Sequence, residues 1–125
     1  MTLNDLVKIA HANAVKKGWW DTGRSHLEIA ALVHSEVSEF VEEVRNDAPP
    51  IYQRQPAELA DFWVPPESPK WQLGLKPEGQ AIELADAIIR IADYFGQMGW
   101  DLTQAIELKM GYNTGREYRH GGKVF

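Results

Sequence analysis

Cysteine is absent from the 125 residues, which excludes disulfides and thiolate metal ligands and fits a reducing compartment. Long hydrophobic runs are missing too. The most apolar segment is broken by Glu83, Asp86, Arg90 and Asp93, whereas a membrane-spanning helix needs roughly 18 to 20 uncharged residues. Residues 1 to 14 interleave Asn4, Asp5, Lys8 and His11 with their apolar positions, so no signal-peptide core is expected. A soluble, cytoplasmic protein is the expectation. Basic charge is in deficit: a net charge of -5 and a pI near 5.3 argue against a surface that grips a nucleic-acid polymer by its phosphates. A single nucleotide stays open if the basic residues cluster locally. Proline is missing outside residues 49 to 77, which hold all seven. Period-2 runs and Asn-Gly hairpins are missing as well, so no sheet is expected.

What is present is helical periodicity on both sides of the prolines. The length and the 44% hydrophobic content suit one domain over residues 1 to 125, with an irregular connector or lid at about 47 to 77. The spacing predicts a first helix over about residues 3 to 17, with Leu3, Leu6, Val7, Ala10 and Ala14 on one face and Gly18 as its stop. Ser25-His26-Leu27-Glu28 fits a capping box. The helix it opens should run to about Asn46 with Ile29, Val33, Val37, Phe40, Val41 and Val44 on one face. A third helix is expected from the first-turn pair Pro77-Glu78 to Gly96 or Gly99, and a fourth after Asp101 as N-cap. The fold class is all-α, a bundle of four to five helices.

Acidic residues on two of these helices carry the functional signal. Residues three and four apart share a helix face, so Glu36, Glu39 and Glu43 form a narrow strip on the second helix. The third helix repeats the pattern with Glu83, Asp86, Arg90, Asp93 and Gln97, while apolar residues fill nearly all the rest of its circumference. A lone E-x-x-E is more often a solvated face. Here the second strip interrupts an apolar cylinder, and buried carboxylates are costly unless paired or bound to metal. Two strips facing each other would bring four carboxylates together, a conflict that a divalent cation resolves. Carboxylates without cysteine or a suitably spaced histidine favour Mg²⁺, with Mn²⁺ as substitute; zinc and a di-iron centre, which wants Glu-x-x-His, fit less well.

From Lys109 onward the charge reverses, with Lys109, Arg116, Arg119 and Lys123 against Glu117 alone. If the fourth helix continues that far, Lys109, Asn113 and Arg116 share one side, a set suited to phosphate oxygens. Capping of a helix C-terminus is the other reading, as likely for Arg119 and Lys123. His120, in Arg-His-Gly-Gly-Lys, sits where a Gly-rich turn exposes N–H groups to an anion.

Three segments, LVHSEVSEFVEEVR, ELADAIIRIADYFGQMGWDL and KMGYNTGREYRHGGK, carry in order an E-x-x-E, an E-x-x-D and a Lys/Asn/Arg series. In this they resemble the MazG-like nucleoside triphosphate pyrophosphohydrolases, a superfamily that includes dCTP pyrophosphatase and the dimeric dUTPases. The resemblance spans roughly residues 24 to 123 apart from the proline segment. It implies a helical bundle that oligomerises as a homodimer or homotetramer. It also implies Mg²⁺ on Glu36, Glu39, Glu83 and Asp86, and cleavage of a nucleoside triphosphate to monophosphate and pyrophosphate, as in nucleotide-pool house-cleaning. By the same analogy Glu39 orients or deprotonates the water, and Lys109, Asn113 and Arg116 hold phosphate. Two departures stand out. Forty-three residues separate Glu39 from Glu83, more than the usual linker, and Arg90 stands where dCTP-type enzymes tend to carry an aromatic.

Candidate nucleoside contacts are Trp20, just before the second helix, with His26, Arg90 and Asp93; capping the edge of the core is the alternative for Trp20 and an interior role for His26. The competing function is a non-catalytic nucleotide- or protein-binding helical module, with the proline segment as its docking element.

Overall fold

A computed structural model describes residues 1–56, 61–116 and 118–119. Four helices and one small sheet follow in the order α1 (Leu3–Lys16), α2 (His26–Arg45), β1 (Gln53–Pro56), β2 (Asp61–Val64), α3 (Gln80–Met98) and α4 (Leu102–Thr114). None of the described helices is long and apolar enough to cross a membrane. The chain divides into two compact units, Met1–Thr22 with Ala92–Phe125, and Gly23–Ile91, so α3 contributes residues to both.

In the first unit α1 is opened by a capping box, in which the Thr2 hydroxyl accepts from the Asp5 N–H and the Asp5 carboxylate accepts from the Thr2 N–H. The chain leaves α1 through Gly18 at φ 81°, a left-handed conformation that suits glycine. Val7, Ala10, Ala92 and Leu102 form the core, with Leu6, Phe95 and Ile106 packed on it. Gly96 of α3 lets α1 approach closely, because a Cβ there would lie 2.5 Å from the His11 Cβ. α4 starts where expected, the Asp101 carboxylate accepting from the Gln104 N–H.

In the second unit α2 is opened by the Ser25 capping box, with Glu28 returning the contact, and ends at Arg45 with Asn46 as its C-cap. The proline-bearing segment differs from expectation. It contains an antiparallel pair, with Gln53 opposite Val64 and Arg54 opposite Trp63. A glutamine occupies the buried position of β1, which hides the strand from a hydrophobicity pattern. Its amide donates to the carbonyls of Gln72 and Leu75 and accepts from the Gln72 N–H, so it is buried with its polar groups satisfied.

Pro77 and Glu78 do not open α3. Glu78 pairs through its backbone with Tyr52, N–H to carbonyl at 2.7 and 2.8 Å, and Gly79 at φ 126° then turns the chain into the helix. The apolar faces also differ from expectation. Val37, Val41 and Val44 of α2 and Leu84, Ile88 and Ile91 of α3 are exposed, and the acids Glu36 and Glu83 are buried instead.

Gly79 is constrained twice, since a Cβ would meet the Pro50 carbonyl oxygen at 2.3 Å and its φ disfavours any other residue. Gly79→Ala is expected to cost about 2 to 4 kcal/mol, read as a lower midpoint in urea denaturation with an unchanged slope.

Candidate metal centre

Helical spacing brings Glu36 and Glu39 to one side of α2, and Glu83 arises from the first turn of α3. One carboxylate oxygen from each of Glu36, Glu39 and Glu83 lies within 4.8 Å of the others. Glu36 and Glu83 are each only 5% exposed, while Glu39 is exposed at the edge of the group. Acidic side chains so placed lose most of their hydration, a cost of several kcal/mol per ion unless something returns it.

The return is partial. The Arg90 guanidinium donates through Nε to Glu36 Oε1 at 2.7 Å. Glu36 Oε2 is buried and has no hydrogen-bond partner among the described residues. Glu83 answers by holding a proton. Burial, followed by a hydrogen bond with Glu39 and the charges of Glu39 and Asp86, pushes its carboxyl up to about 7, with Lys76 opposing. Asp86 is raised chiefly by partial desolvation and then by the charge of Glu36, against Arg90 and Lys76. Asp86 itself is exposed and lies outside the three-carboxylate group. Glu43, on the same strip of α2, accepts a hydrogen bond from the Tyr52 hydroxyl at 2.9 Å.

This donor set fits a hard divalent cation. It offers three carboxylates, no softer ligand, and a buried oxygen whose lone pairs are unmet; Mg²⁺ and Mn²⁺ accept such oxygens and keep open positions for water or phosphate.

The remaining candidate residues are distributed as follows. Lys109 and Asn113 lie on α4 in the first unit, and Arg116 falls just beyond its C-cap, because α4 ends at Thr114. The Lys109 ammonium and the Arg116 guanidinium both sit over the Tyr112 ring, at 4.9 and 5.3 Å from its centroid. His120 and Lys123 lie outside the described residues. His26 is the exposed first residue of α2. Also in the first unit, Trp20 donates its indole N–H to the buried Asp93 at 3.0 Å, and the same Asp93 oxygen pairs with His11 Nδ1 at 2.9 Å. His11 was not singled out from the sequence; the strip position of Asp93, which demands a partner once buried, was the signal available.

Compared with protein-family models, curated proteins and solved structures, the chain matches none of them. Its class is therefore set by its own features: a helical protein with a small sheet and a cluster of three glutamates able to chelate a divalent ion.

The raised Glu83 carboxyl fixes the sign of a pH effect. The folded state keeps a proton that the unfolded state releases above its ordinary value of 4.5, so the contribution of this group to stability is fully present below that pH, falls as pH rises, and is gone by about 7. Asp86 adds to the same trend. In EDTA at pH 8, Glu83→Gln is expected to melt several degrees above the parent chain. Mg²⁺ should raise the melting temperature of the parent and have little effect on the variant. Equal melting temperatures with and without Mg²⁺ in the parent would count against a metal centre.

Proposed function

We propose that this chain is a Mg²⁺-dependent nucleoside triphosphate pyrophosphohydrolase that cleaves a (deoxy)nucleoside triphosphate to the monophosphate and pyrophosphate. The observation that carries the reading is Glu36: a buried carboxylate beside Glu39 and Glu83, with one oxygen unmet. The order of the E-x-x-E, E-x-x-D and Lys/Asn/Arg motifs supplies the reaction class by resemblance to the MazG-like enzymes.

Glu36, through Oε2, with Glu39 and Glu83 would hold the ion, and Asp86 joins them as the fourth carboxylate. When bound, the ion supplies Lewis acidity and neutralises phosphate charge. Glu39 is the most accessible acid of the three, which suits it to orient the attacking water and take its proton. The water oxygen then bonds to phosphorus, the anhydride linking the α- and β-phosphates breaks, and pyrophosphate leaves with that electron pair. Lys109, Asn113 and Arg116 are assigned to phosphate oxygens by their chemistry, the two cations being arrayed on Tyr112.

Trp20 and His26 are the nucleoside contacts in this reading. The Trp20 N–H is spent on Asp93, so the indole would meet a base through its ring and not through a hydrogen bond. Asp93 acts as a positioning residue that holds Trp20 and His11. A second copy of the chain covers the valines of α2 and the isoleucines of α3, making a homodimer the minimum assembly. A cytoplasmic location, with its nucleotide pool, belongs to the same reading.

Incubation with a panel of canonical and modified nucleoside triphosphates and Mg²⁺ is expected to release pyrophosphate from at least one. Glu39→Gln should lower kcat at least ~10²-fold while leaving the fold intact by circular dichroism. No release from any nucleotide would reject the activity, and binding without turnover would instead assign a non-catalytic nucleotide-binding module. Light scattering after gel filtration should give a mass of two chains or more, and Val41→Asp should lower it to one.

A further inference from the structure

Arg90 and Glu36 make a bidentate question out of a carboxylate. A glutamate that bridges two metal ions lends one oxygen to each, and in two-metal hydrolases those ions sit ~3.5–4 Å apart. In this chain Glu36 Oε1 is already held by Arg90 Nε at 2.7 Å, and only Oε2, buried and unpartnered, is left to give. Asp86, the next acid along α3 from Glu83, lies outside the cluster and is exposed to water. The side chain of Arg90 is about one-third exposed, against 6% for Glu36, so the guanidinium reaches inward from the rim to the buried acid.

We propose that Arg90 is a built-in counter-cation that takes the place of a second metal ion, so that the centre formed by Glu36, Glu39 and Glu83 holds one divalent ion per chain. This rests on the reading of the site as a divalent-ion centre. It adds the ion count and gives Arg90 a role in the metal centre instead of at the nucleoside. The guanidinium belongs to the chain, so the replacement does not depend on free metal concentration.

The test is a Mn²⁺ titration of the purified chain, followed by electron paramagnetic resonance of free and bound ion. One tightly bound Mn²⁺ per chain with an isolated six-line spectrum is expected. Arg90→Met frees Glu36 Oε1 and should take up two, with a spin-coupled multiline spectrum; Arg90→Lys, which keeps the charge, should stay at one. Two ions in the parent chain would overturn the proposal while leaving the metal centre standing. So would a single ion in an Arg90→Met variant whose helical circular dichroism is unchanged. Absence of any bound ion in the parent would overturn the proposal and the metal reading together. Should Arg90→Met fail to fold, the parent count and the Arg90→Lys count still decide.

Discussion

The half-satisfied carboxylate of Glu36 is the constraint around which the second unit is arranged. A buried acid held by a guanidinium at one oxygen and by nothing at the other is stable only because its neighbours concede something. Glu83 concedes by keeping a proton that water would normally take, and it shares a hydrogen bond with Glu39 to do so. The metal-free protein is thus in electrostatic debt at neutral pH. A divalent cation is the simplest way to release Glu83 from its proton and meet the free oxygen of Glu36 in one event.

Local signals were legible in the sequence wherever one turn of chain contains its own explanation. The Ser25 box, the Asp101 cap and the glycine stop at Gly18 each depend on groups within a few residues, and α1, α2 and α4 begin or end where those groups put them. That Glu36 and Glu39 share a face of α2 follows from helical spacing, whereas the approach of Glu83 from α3 is a tertiary fact. The strand pair could not be anticipated. The buried residue of β1 is Gln53, and its burial is permitted by backbone partners at Gln72 and Leu75 that no window around residue 53 contains. The start of α3 was misplaced for a related reason: Pro77-Glu78 is a good helix opening in isolation, but Glu78 has a backbone partner in Tyr52.

Orientation was the other thing the pattern could not convey. A helix with an apolar arc and an acidic strip has two ways to face its neighbours, and ordinary burial statistics favour the apolar arc inward. In the second unit the acids turn inward and the valines and isoleucines face outward. That inversion leaves much of the apolar arc of α2 and α3 at the surface of the single chain. The Asp93 cluster shows the same limit at longer range, since its two partners come from positions 73 and 82 residues away.

Tyr52 connects the hairpin region to the acids without belonging to either. Its backbone pairs with Glu78 just ahead of α3, and its hydroxyl is bonded to Glu43, one turn along α2 from Glu39. The residue, 1% exposed and with its ring set against Trp63, is therefore held at two ends, by its hydroxyl on α2 and by its backbone on the chain just before α3. A substitution at Tyr52 would thus reach the acidic cluster through the chain entering α3 and through Glu43 at once, while altering none of its carboxylates.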